Sequence, residues 1–199
     1  MDLSPGMVTS PCNFCARVNF INVLLTVYLS LINGVTVFTK QFHCFLISVF
    51  LVEFYAEHGF FEFPIVDNTD VYYVFHEQKI YNALLDIFNA FTEKGIKVIV
   101  NGGDVFISEV INNCSIPTCI NAVNQETVFT SINFDDKSFG ENNWENREYF
   151  IEYLNVCKQN GMDVLLIEYG ANDKLREKVM DYCNENDYVC YFADSLALD

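Results

Sequence analysis

From Gly59 to the C-terminus, short apolar runs alternate with amphipathic helical stretches, and that alternation leaves few folds open. Residues 77–94 put Ile80, Leu84, Phe88 and Phe91, with Tyr81 and Leu85, on one helical face, and Gly95 follows as a stop. A strand over 96–100 enters the turn Asn101-Gly102-Gly103-Asp104. A short helix over 105–112 then leads through a cysteine-flanked loop to a strand around 120–123. Residues 145–160 repeat the helical theme with Tyr149, Phe150, Tyr153, Leu154 and Cys157 inward, and Gly161 ends it. The apolar strand 164–167 closes on Glu168-Tyr169. Asn172 caps a last helix that uses Leu175, Val179 and Cys183, before a strand over 188–192. With the segment before Asp67 there are five strands, and strands alternating with helices imply an α/β fold, a parallel sheet covered by helices.

Two of these strands close on carboxylates. Asp67 ends the apolar run of IVDNTDVYYVF, and Glu126 that of INAVNQETVFTSINF. Strand C-terminal ends are where an α/β barrel carries its chemistry. A carboxylate pair, one acid/base and the other a nucleophile or water activator, is what glycoside hydrolysis requires. Asp70 stands close to Asp67, and two neighbouring acids push one pKa upward; the same aspartates equally serve as turn or helix caps. Asn124 and Gln125 suit orienting a carboxyl or binding a sugar hydroxyl. Asn101, Asp104, Glu168 and Tyr169 also follow strands and are candidates to line the same mouth, although Asn101 equally bonds its own loop where Gly102-Gly103 turns the chain. Of the aromatics, Tyr72, Tyr73 and Trp144 are candidates to stack on sugar faces, whereas most others read as core.

The charge is unevenly spread. Residues 1–60 hold only Asp2, Arg17, Lys40, Glu53 and Glu57, so nearly all of the net charge of −16 lies beyond them. Such a surface repels nucleic-acid phosphates and anionic lipid headgroups and favours a neutral or cationic ligand, while solubility accounts for it equally well. Residues 20–38 carry no formal charge, which is long enough to span a bilayer. Asn22, Thr26, Ser30, Asn33, Gly34 and Thr36 interrupt the run, and the second run, 42–52, is too short to cross. A membrane or export anchor, buried core segments, and a stretch foreign to the domain all fit residues 1–58. The domain proper is then 59–199.

Eight cysteines invite a metal or disulfide reading. Cys12-x2-Cys15 has zinc-ligand spacing without a matching second half-site. Cys157, Cys183 and Cys190 read as small core hydrophobes, and a Cys114–Cys119 loop disulfide is compatible with export. His43, His58 and His76 are scattered, and no phosphate-cradling glycine motif is present. Neither a metal nor a cofactor is expected.

The succession VDNTDVYY, KVIVNGGD, AVNQETVF, GMDVLLIEYG and VCYFADSLALD resembles the second half of the glycoside hydrolase family 114 barrel, the endo-α-1,4-polygalactosaminidase-like family. The resemblance covers about 59–199. It implies a partial (β/α)8 barrel, strands four to eight, with Asp67 and Glu126 on the positions of the family's catalytic pair. It implies metal-independent hydrolysis of an extracellular galactosamine-containing polysaccharide, by a secreted or membrane-anchored protein. Residues 1–58 depart from the family's first three β/α units, and Glu62 and Pro64 disturb the strand leading to Asp67. Five strands do not close an eight-stranded barrel, so the N-terminal segment or another chain is expected to cover the open edge. A catalytically defective barrel, at most a glycan-binding module, is the competing expectation.

Overall fold

A computed structural model of the chain describes residues 65–67 and 69–196. The apolar runs 20–38 and 42–52, Cys12, Cys15, His43, His58, Glu62 and Pro64 lie outside the described residues.

The elements run β1 (Ile65–Val66), α1 (Val71–Phe75), α2 (Gln78–Glu93), β2 (Val98–Asn101), α3 (Asp104–Asn112) and β3 (Ile120–Glu126). They continue with β4 (Thr130–Asn133), β5 (Ser138–Glu141), α4 (Trp144–Gln159), β6 (Asp163–Tyr169), α5 (Asp173–Asn186) and β7 (Val189–Ala193). Strands β1-β2-β3-β6-β7 form one parallel sheet in that order, and β4 and β5 form a separate antiparallel hairpin. The sheet follows chain order with helices between its strands, the topology of five consecutive strands of a (β/α)8 barrel and the four helical crossovers that join them. The expected α/β class is therefore the one found. The hairpin was not foreseen.

Because side chains alternate along a strand, each strand supplies both faces of the sheet. Val66, Val98, Val100, Val123, Val164 and Leu166 face the helices and form one core with Phe88, Phe106, Leu154 and Val179. Phe88 and Phe106, both fully buried, stack with centroids 5.6 Å apart. Emptying either site would cost about 3–5 kcal/mol. The other face carries a smaller apolar cluster of Ile167, Tyr169 and Ala193, against which Ile132 and Phe139 of the hairpin and Tyr191 pack. Phe139 lies flat on Tyr169, with centroids 6.3 Å apart and planes 15° from parallel. A Cβ at Gly170 would stand 2.4 Å from the Phe139 ring, so the bare backbone there lets the hairpin settle on β6.

Caps fix two of the long helices. Asn172 caps α5 as its sequence position suggests, accepting the Leu175 N–H at 3.0 Å, and Asn143 does the same for α4 through Asn146 at 2.9 Å. Such a cap contributes about 1 kcal/mol. Two expectations need correction. Cys114 and Cys119 are both free thiols, because Cys119 turns into the core and directs its Sγ to the Phe88 carbonyl at 3.0 Å while Cys114 stays exposed. Tyr149, expected inward on α4, is half exposed and belongs to the polar end of the sheet described next.

Candidate active site

In a parallel sheet all C-terminal strand ends emerge on one side, so Asp67 just past β1, Asn101 at the end of β2, Glu126 at the end of β3 and Tyr169 at the end of β6 meet there. The pairing register sets Asn101 beside Asn124. The Asn124 amide donates to Asn101 Oδ1 at 2.5 Å, which fixes which end of the Asn101 side chain carries the N–H groups. Its Nδ2 then donates to Asp67 Oδ1 at 3.4 Å and to Glu126 Oε1 at 3.1 Å. The second Glu126 oxygen takes the Tyr169 hydroxyl at 3.0 Å. One amide thus ties the two carboxylates together, and a phenol steadies one of them.

Asp70 and Asp104 form the next ring. Asp70 sits at the N-terminus of α1 but does not cap it; its carboxylate reaches across to the Gly103 N–H at 2.9 Å. Burial pushes the Asp70 carboxyl up, the Gly103 N–H opposes this, and Asp104 and Asp67 add to the rise. Asp104 accepts a short hydrogen bond from the Tyr149 hydroxyl of α4. Desolvation, that hydrogen bond and the nearby acid push Tyr149 up to about 12 from its ordinary 10.0. A folded-state pKa raised this way stabilises below pH 10, and that contribution fades as the pH rises through about 12. Alkaline difference spectroscopy of wild type against Tyr149→Phe is expected to show the missing phenol ionising near pH 12; a midpoint near 10 would refute both the desolvation of this hydroxyl and its contact with Asp104.

The turn after β2 depends on bare backbone. Gly103 has φ 71°, and a Cβ there would fall 1.8 Å from Thr69 Oγ1. Gly103→Ala is expected to destabilise the fold by about 2 kcal/mol or more, read as a lower Tm, because strain and collision act together. An unchanged Tm would mean that the Thr69–Gly103 contact is not made.

Among the residues proposed for substrate contact, Asp67, Asn101, Asn124, Glu126 and Tyr169 come together as described, with Asp70 and Asp104 beside them. Tyr73 and Trp144 are 69% and 65% exposed, open to stacking. Two others are placed elsewhere. Tyr72 is buried among His76, Tyr81 and Phe106, with ring centroids at 4.8, 5.6 and 6.2 Å, so it is a core ring and not a sugar platform. Glu168 is wholly buried. Neighbouring strand residues point to opposite faces, so Glu168 and Tyr169 cannot both line the mouth.

Glu168 instead accepts the backbone N–H groups of Val128 at 3.1 Å, Phe129 at 3.0 Å and Thr130 at 2.8 Å, and the Thr130 hydroxyl at 2.6 Å. Burial pushes its carboxyl up, and the Thr130 hydroxyl and these N–H groups pull it back. The segment it grips starts with Thr127, a β-branched residue at φ 56°, a strained conformation costing about 1–3 kcal/mol. Thr130 carries no signal of this role in the sequence, and Tyr149 reads there as an inward residue of its helix.

No family model matches this chain, and none of the curated proteins compared with it does. Among solved structures it is similar to the glycoside hydrolase domain of PelA from Pseudomonas aeruginosa, with a TM-score of 0.60 and 17% identity over 81% of this chain. A glutamate-to-alanine variant of that domain matches equally, with a TM-score of 0.60 and 16% identity. The chain spans 62% of the length of that domain. At this identity the likeness is one of fold: the five parallel strands and the helices that join them are laid out as in a glycoside hydrolase barrel. Among the described residues no cluster of three or more His, Cys, Asp or Glu side chains is arranged to hold a metal, and no helix is long and apolar enough to cross a membrane.

Proposed function

We propose that this chain hydrolyses glycosidic bonds with Asp67 and Glu126 as its carboxylate pair, acting on an extracellular polysaccharide that contains galactosamine. The observation that carries the reading is the single Asn101 amide shared by both acids at 3.4 and 3.1 Å. If each oxygen takes one of its two hydrogens, the oxygens lie roughly 5.5 Å apart, the spacing of a double displacement rather than of direct inversion. In that scheme Asp67 attacks the anomeric carbon while Glu126 gives its proton to the departing glycosidic oxygen. Glu126 then takes a proton from water, whose oxygen releases the sugar from Asp67 with net retention.

The gathering of Asp67, Asp70 and Asp104 favours a substrate bearing amino groups, since it supplies negative potential beside the bond to be cut. Tyr73 and Trp144 offer apolar faces for the flanking sugars. A second reading, glycan binding without turnover, rests on those same exposed rings. Reducing-end release from partially deacetylated α-1,4-galactosaminogalactan separates the two: release supports hydrolysis, and its absence from a folded, monodisperse sample that still binds the polymer supports the module.

A further inference from the structure

We infer that Glu168 is a positioning residue for Glu126, acting through a buried relay made of Thr130 and Tyr169. In its kinetic arm this inference rests on the glycosidase reading above; in its geometry it does not.

The chain leaves β3 directly after Glu126 and bends along the end of β6. Thr127 takes its left-handed conformation there, with its N–H on the Ile167 carbonyl at 2.9 Å and its own carbonyl on the Asn142 amide at 3.0 Å. The next three N–H groups converge on one buried carboxylate, that of Glu168. Nothing in a solvent-exposed loop would require a wholly buried acid, whereas a turn that must be held in a strained form does. The Thr130 hydroxyl completes the arrangement in two directions: it donates to Glu168 Oε2 at 2.6 Å and accepts the Tyr169 N–H at 3.1 Å. Tyr169 is fixed at its backbone by Thr130 and at its ring by Phe139 of the hairpin. Its hydroxyl ends on Glu126 Oε2 at 3.0 Å. Glu168 therefore governs Glu126 from both sides, through the turn that follows it and through the phenol that holds it, without touching the cleft.

The test uses the full chain. Glu168→Gln keeps the shape but puts an NH2 group against backbone N–H groups, and Thr130→Val removes the relay hydroxyl while Thr130→Ser restores it. Assayed well below their melting temperatures, Glu168→Gln and Thr130→Val are expected to lose about 10²-fold in kcat with KM within about twofold, the effect of a misplaced reacting group. Thr130→Ser should stay near wild type. A wild-type kcat in folded Glu168→Gln overturns the inference, as does an equal loss in the Ser and Val variants, which would make Thr130 a matter of packing. If Glu168→Gln does not fold, the Ser and Val pair decides. Should wild-type protein cleave no glycan, the glycosidase reading fails alone, and crystal structures of wild type and Thr130→Val then judge the relay. Separation of the Tyr169 hydroxyl from Glu126 supports it; an undisturbed contact overturns it.

Discussion

Replacing Glu126 by glutamine is expected to lower turnover by about 10²–10⁴-fold, the usual contribution of a general acid/base, with polymer binding retained. Glutamine keeps the volume and one acceptor oxygen for the Asn101 contact at 3.1 Å, and the Tyr169 hydroxyl, which now donates to the second oxygen, rotates to accept from the new NH2 group, so the local structure is kept. What disappears is the proton that the leaving oxygen needs. The defect should therefore shrink on an activated aryl glycoside, whose leaving group departs without protonation. Asp67→Asn should give a loss that no improvement of the leaving group relieves, because the bond to the anomeric carbon cannot form. Michaelis–Menten kinetics on the polymer and on an aryl glycoside assign the roles; the reverse pattern would exchange them.

The second large effect is expected at Asn101. Asn101→Asp puts a third carboxyl between two others that its amide now holds at 3.4 and 3.1 Å, and it deletes both N–H donors. Repulsion replaces attraction, and a shift of about 1 Å in either acid is enough for a loss of about 10²-fold or more. Asn101→Ala removes the donors without adding charge and should be the milder change. The sign of the pH effect is diagnostic. Lowering the pH protonates the crowded carboxyl cluster of Asn101→Asp and gives back a donor, so its activity relative to wild type should rise as the pH falls. A ratio independent of pH, or a variant as active as wild type, would contradict the bridging role.

Much of this arrangement was written in the sequence at the level of position. Apolar runs ending in Asp67, Asn101, Glu126 and Tyr169 predict that these residues emerge together, because a parallel sheet has only one C-terminal side. That Asn101 is the link between the acids was not legible, since residues 34 and 25 apart meet only once the register Asn101 to Asn124 is set. Glu168 shows a rule that the sequence held but position alone obscured: beside an inward Tyr169, alternation sends it to the opposite face. Tyr72 and Tyr73 differ in the same way on a helix, one packed on Phe106 and its neighbour in solvent. The hairpin was hidden because Thr130–Asn133 and Ser138–Glu141 are short and mostly polar, and their pairing is local to an insertion in the β/α pattern. Tyr149 fell on the apolar face of a helical projection, yet the Asp104 carboxylate held its hydroxyl at the polar end.

The proposed hydrolysis requires Asp67 and Glu126 to work as one unit. The most direct measurement is the rate of reducing-end release by the Asp67→Asn, Glu126→Gln double variant beside both single variants and wild type. Groups that serve one reaction are strongly non-additive, so the double variant is expected to be about as slow as the slower single one. Losses that multiply, or either single variant running at the wild-type rate, would contradict the pair.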